Sequence, residues 1–136
     1  MRIIINENQL NLIRETIDPS EAYSNIESVQ TIIDGKRNVA MVAGLSHTTM
    51  GIIADMVNEH DLDSVRVPSN KHGAFIIFKK GSDEQAHKLL SIAEKYGGYL
   101  SHEATDDDVR EIGRLLEYNP ESVEDFILNS NKWKYN

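Results

Sequence analysis

The sequence predicts an α+β fold, and three observations carry that expectation. Gly73-Ala74-Phe75-Ile76-Ile77-Phe78-Lys79 has no charge until its last residue and is dense in β-branched and aromatic side chains. It reads as a strand buried on both faces. Asn38 to Leu45, NVAMVAGL, is a second uncharged run of the same kind. Between and after these runs lie segments with apolar residues at helical spacing. From residue 38 to 104 the order is strand, helix, strand, strand, helix, strand. With right-handed crossovers this is the split βαβ, or ferredoxin-like, arrangement (βαββαβ), here with extra N- and C-terminal helices. It predicts strand order 4-1-3-2, with the first and third strands central and both internal helices on one face.

The elements follow in chain order. Arg2 to Ile5 is a short apolar run and a candidate strand. Asn6-Glu7-Asn8-Gln9 starts a helix, with Asn6 as cap and Gln9 three residues on; Leu10, Ile13 and Ile17 follow at helical spacing. Asp18-Pro19-Ser20-Glu21 starts a second helix, whose stripe is Ala22, Ile26, Val29 and Ile33 and whose stop is Gly35. After the Asn38–Leu45 strand, Ser46 or Thr48 caps a helix to about His60. Met50, Ile53, Ala54 and Val57 form its inner face, with Asp55, Asn58 and Glu59 outward. Ser64 to Pro68 alternates and ends in proline, as an edge strand does, and forms a hairpin with the Gly73 strand through Ser69–His72. Ser82-Asp83-Glu84-Gln85 is a capping box for a helix carrying Ala86, Leu89, Leu90, Ala93 and Tyr96, stopped by Gly97-Gly98. Tyr99 to Glu103 is a polar candidate fourth strand. Thr105 with Asp106, Asp107 and Asp108 caps the next helix, which turns Val109, Ile112 and Leu116 inward. Asn119-Pro120 starts the last, with Val123, Phe126 and Ile127 inward, before a polar tail carrying Trp133 and Tyr135. The expected organisation is one domain over 1–136: an N-terminal strand and two helices (1–37), the core (38–104), and C-terminal helices and tail (105–136).

Composition narrows the function classes. At 136 residues, with 40% apolar and 26% charged, the chain is long enough for one real core. It has no cysteine, which excludes disulfide and thiolate chemistry and fits a reducing compartment. No apolar run approaches a bilayer span, and the three-isoleucine run before Asn6 is too short for a signal peptide. A net charge of −8 argues against non-specific binding to nucleic acid or to an anionic membrane.

The topology places three loops at one end of the sheet: Ser46-His47-Thr48-Thr49, Ser69-Asn70-Lys71-His72, and Gly97-Gly98-Tyr99. The first sits at a helix N-terminus, where free N–H groups and the helix dipole favour an anion. Ser46, His47, Thr48, Thr49, Asn70, Lys71 and His72 are therefore the candidate ligand-binding residues for a phosphate, carboxylate or nucleotide-like molecule. The same residues also have a plainer reading as a helix cap, a hairpin turn and a helix stop.

Other chemistry finds little purchase. His47-Thr48-Thr49 matches the H-x-T pattern of two-histidine phosphoesterases, which need a second such motif facing the same cleft. His102-Glu103-Ala104-Thr105 has one residue too many, and on a strand its threonine falls on the wrong face. The five histidines have no metal-ligand spacing, and Asp106–Asp108 lacks the alternation and turn glycine of a calcium loop. There is no P-loop, G-x-G-x-x-G, G-x-S-x-G or C-x-x-C. No catalytic residue, metal or cofactor is expected.

The opening Met1-Arg2-Ile3-Ile4-Ile5-Asn6-Glu7-Asn8-Gln9-Leu10 resembles the start of small proteins encoded by bacteriophages of Bacteroidetes-type hosts. The segment Ile112-Gly113-Arg114-Leu115-Leu116-Glu117-Tyr118, through Val123-Glu124-Asp125-Phe126-Ile127, is similar to C-terminal segments of other small phage proteins, where glycine often stands at the Glu117 position. The resemblance implies a phage accessory or virion-associated protein acting in the bacterial cytoplasm. Three functions are then in play. The first is non-enzymatic binding of a host or phage protein, with homo-oligomerisation through the edge strands Ser64–Pro68 and Tyr99–Glu103 as a further expectation. The second is binding or sequestering of a nucleotide-like anion, and the third a His47-dependent phosphoesterase.

Overall fold

The computed structural model describes residues 6–14, 19–71, 73–98 and 104–134, and their side chains except those at 12, 14, 19 and 130–134. The described elements are α1 (Glu7–Arg14), α2 (Pro19–Ile33), β1 (Val39–Ala43), α3 (His47–Glu59), β2 (Leu62–Arg66), β3 (Ala74–Lys79), α4 (Asp83–Lys95), α5 (Asp106–Leu115) and α6 (Pro120–Lys134). The expectations for Arg2–Ile5, Ile17, Asp18, His72, Tyr99–Glu103, the side chain of Trp133, and Tyr135 lie outside the described residues.

The strands form an antiparallel sheet in the order β1-β3-β2, so β3 is central. Its register sets Ala40 and Ser64 against Ile77, and Met41 and Val65 against Ile76. Alternation then divides the core in two. Ala40, Val42, Ile77 and Leu62 face one side, with Ile13 of α1, Ile26 and Val29 of α2, and Ile52 and Met56 of α3. Val39, Ala74, Ile76 and Phe78 face the other, with Ala86 and Leu89 of α4 and Ile112 and Leu115 of α5. Ile76, Ile77 and Phe78 are at most 2% exposed, and each such burial is worth about 1.5–3 kcal/mol. The architecture is therefore helix–sheet–helix, in three layers.

This corrects one expectation of the ferredoxin-like reading. Both internal helices were to cover one face, but α3 covers the first and α4 the second. The reason lies in β3, whose alternate residues are equally apolar, so each face needs its own helical cover. The strand run also lies two residues earlier than expected at β2. It spans Leu62–Arg66, leaving Val67 bonded to the Ala74 carbonyl and Pro68 in the turn.

Local chemistry explains the helix ends. Asn6 and Gln9 make a reciprocal capping box, Gln9 N–H to Asn6 Oδ1 at 2.8 Å and Asn6 N–H to Gln9 Oε1 at 3.1 Å. α2 closes on Gly35 at φ 75°, with Lys36 N–H reaching the Thr31 carbonyl. α4 does not form its expected box. The Ser82 side chain makes no cap hydrogen bond, and Gln85 donates instead to the Leu115 carbonyl at 2.7 Å, tying α4 to α5. At the end of α5 the Tyr118 N–H bonds the Gly113 carbonyl, and Glu117 stands at φ 60°. That is the position a glycine would take without strain. Glu117 holds it while its carboxylate accepts from the Asn38 N–H at 2.6 Å, linking α5 to the start of β1.

Met50, Ala54 and Phe126, expected inside, are exposed, Met50 by 41% and Phe126 by 60%. α6 packs on α5 through Val123 and Ile127, and a one-helix neighbour covers only a narrow stripe.

Gly113 sets that packing. A Cβ there would lie 2.5 Å from Val123 Cγ2, and a valine methyl has little room to yield. Gly113→Ala is expected to lower stability by about 1–3 kcal/mol despite its better helix propensity. Thermal unfolding of Gly113→Ala alone and with Val123→Ala checks this, since the double variant should recover most of the loss.

Candidate functional site

Of the three loops named from the sequence, the hairpin turn and the end of α4 touch directly, and the first is linked to the turn through the glycines that flank them. Gly44 N–H bonds the Gly73 carbonyl at 3.3 Å, and Asn70 Nδ2 donates to the Gly98 carbonyl at 3.1 Å. Gly98, at φ 80°, lies so close that a Cβ would stand 2.8 Å from the Asn70 backbone nitrogen. The end of β1 is thus tied to the start of β3, and the hairpin turn to the end of α4.

The side chains at this junction are turned to structural work. Ser46 caps α3, accepting from the Thr49 N–H at 3.2 Å. Thr49 is fully buried, and its hydroxyl lies 2.9 Å from Ser46 Oγ and 3.0 Å from Glu21 Oε2. Glu21 comes from the first turn of α2 and also accepts from Asn25 Nδ2 at 2.9 Å. The start of α3 therefore already faces a carboxylate of the chain itself. An incoming phosphate would share that helix start with the Glu21 carboxylate, a neighbour 28 residues away that a linear reading does not show. Asn70 is 4% exposed and committed to Gly98. Thr48 is half-buried, while His47 and Lys71 are exposed. The cleft beneath Leu45 and Met50, about 250 Å³, is apolar and is lined by none of the six described candidate residues. Among the described residues no group of three His, Asp or Glu side chains is placed to hold a metal ion.

A second surface was not singled out by the sequence reasoning. α5 and α6 enclose a cleft of about 230 Å³ lined by Val109, Ile112, Gly113, Tyr118, Val123 and Phe126. Tyr118, Phe126 and Leu128 are exposed by 52%, 60% and 58%. The available signal was that the α6 stripe has three large apolar residues in a row, Phe126-Ile127-Leu128, which one helical neighbour cannot cover together.

α5 is anchored at its start by a small ionic cluster. Thr105 caps it, accepting from the Asp108 N–H at 3.1 Å. Asp108 accepts from Lys95 Nζ at 2.8 Å and from the Tyr96 hydroxyl, which in turn accepts from the Thr105 N–H. The Lys95 ammonium first, then the Tyr96 hydroxyl, hold the Asp108 carboxyl below the usual carboxylate range, and Asp108 raises Lys95 in return. Across α5 and α6, Arg110 binds Glu124 at 2.7 Å, and this pair lowers Glu124 and raises Arg110.

Comparison with known protein families, with curated proteins and with solved structures found no match. Among the described residues no helix is long and apolar enough to cross a membrane.

Two measurements follow. Thr49→Val, which removes the hydroxyl between Ser46 and Glu21, is expected to cost ~1–2 kcal/mol in chemical denaturation, whereas His47→Ala should cost under about 0.5 kcal/mol. Because Asp108 has a lowered pKa in the folded state, its stabilising effect is present above the ordinary carboxylate range and is lost as pH falls through and below that range. Asp108→Asn should therefore be less stable than the parent at neutral pH, and the difference should shrink in acid, as read by melting temperature against pH.

Proposed function

We propose that the chain is a non-enzymatic accessory protein that works by binding another protein through the α5–α6 surface. The observation that carries this reading is the position of α6. Among the described residues it rests chiefly on α5, leaves Phe126, Leu128 and Tyr118 exposed, and borders an apolar cleft. Phe126 and Tyr118 line the cleft itself, while Leu128 lies two residues on and so on another face of α6; exposed apolar surface at a cleft marks interaction sites. The resemblance of the chain's opening and of its Ile112–Ile127 segment to small phage proteins supports a phage origin and a host or phage partner.

Sheet extension through β2 is the weaker route to a partner or a second copy. β2 is short, carries Asp63 and Arg66, and has its Ser64 N–H occupied by Asp63 Oδ1 at 2.8 Å. Such features blunt an edge. The nucleotide-like ligand has less support still, because Glu21 sits where the anion would go. For residues 38–104, the ferredoxin-like relationship is supported by the order β1-β3-β2 and opposed by α4 lying across the sheet from α3.

Phe126→Ser tests the reading, since an exposed side chain can be changed without unfolding the protein. Parent and variant are used as paired baits in host-cell extract, and any protein retained by the parent is purified and recombined with both. A partner that binds the parent and is lost from the variant by tenfold or more, on the order of a hot-spot truncation, is the expected result. Equal binding to both overturns the α5–α6 reading.

A further inference from the structure

The chemistry of the surface narrows the partner, an inference that rests on the docking role proposed above. Residues 104–134 contain eight of the chain's 22 carboxylates against two guanidiniums, Arg110 and Arg114, and two lysines at the end of α6, Lys132 and Lys134, a formal charge of −4. Both of those guanidiniums are engaged within the segment, Arg110 by Glu124 and Asp107, and Arg114 by Glu111. Asp106, Glu121 and Asp125 make no ion pair among the described residues. Asp106 precedes the cleft residue Val109 by three positions and so shares its helix face, Asp125 follows the cleft residue Ser122 by three, and Glu121 lies one turn before Asp125. Acids that make no ion pair among the described residues thus stand one turn from the cleft-lining residues on both helices. At the Tyr118 end of the cleft Arg37 lies 5.8 Å from the ring centroid, with its guanidinium held by Thr31 Oγ1 and the Ser28 carbonyl.

Those acids select among occupants. A second copy related by a two-fold axis would bring the same acidic patch against itself. An anionic membrane or a nucleic acid would be repelled. A cationic segment with apolar anchors would be attracted and would fill the cleft between two helices as an amphipathic helix fills a groove. We propose that the α5–α6 cleft docks a basic amphipathic helix of a partner protein, its apolar residues seated beside Phe126 and its Lys and Arg residues facing Asp106, Glu121 and Asp125.

Three synthetic 18-residue helical peptides test this with the full chain. They share one leucine-rich face and carry Lys, Gln or Glu on the other. Fluorescence anisotropy should rank the Lys peptide first, on the order of tenfold over the Gln peptide at low salt and converging with it as salt rises. Glu121→Lys with Asp125→Lys should shift preference toward the Glu peptide, and Phe126→Ser should weaken all three. Equal affinity for the three peptides, lost in Phe126→Ser, overturns the charge inference and leaves the docking role standing. Lys-peptide binding undiminished by Phe126→Ser, or no binding by any peptide, overturns both. Dimerisation of the parent in sedimentation, abolished by Phe126→Ser, would assign the cleft to a second copy and overturn the proposal.

Discussion

Burial of β3 on both faces is the constraint on which the rest of the structure depends. Ile77 and Phe75 point to one layer, and Ala74, Ile76 and Phe78 to the other. A strand apolar on alternate residues only can leave one face to water, but this one cannot. It therefore recruits α2 and α3 to one side and α4 and α5 to the other. β1 and β2 flank it with a register that keeps Val39 and Val65 on the α4 side and Ala40 and Leu62 on the α3 side. A one-residue slip would exchange the two layers' contacts throughout.

From that demand come the junctions between elements. Each helical layer must be tied to the sheet at its ends, where backbone groups are unsatisfied. Gln85 reaches the Leu115 carbonyl, Glu117 reaches the Asn38 N–H, and Asn70 reaches the Gly98 carbonyl. Polar residues that look available in a linear reading are consumed by these ties. The Ser46–Thr49–Glu21 contact is the clearest case, because it joins the first turn of α2 to the start of α3 and places a carboxylate where an anion had been expected. α6, by contrast, contributes little to either layer. It is held by Val123 against Gly113 and by the Arg110–Glu124 pair, which leaves its flanks for other use.

Much of the fold was legible because local signals and burial agree. The Asn6–Gln9 box, the Gly35 and Gly97 stops, the Thr105 cap and the Asn119 cap are each set within four or five residues. The candidate site was legible only as a place. The hairpin turn does meet the end of α4, yet the roles of Thr49, Asn70 and Glu21 depend on partners 28 residues away in sequence. Phe126 was misread because apolar spacing gives the direction of a helix's inner face only when something lies there to receive it.

The sequence by itself determined the element types and most of their ends, the central place of the Gly73–Lys79 strand, the absence of cysteine chemistry and the acidic balance. Those properties are local or additive, so they can be read from a linear chain. Tertiary structure alone decided that α3 and α4 take opposite faces, that Glu21 faces the start of α3, and that Phe126, Leu128 and Tyr118 stay exposed. Each of these depends on which surfaces meet across long sequence separations, and a pattern of polar and apolar residues states what must be buried without stating against what.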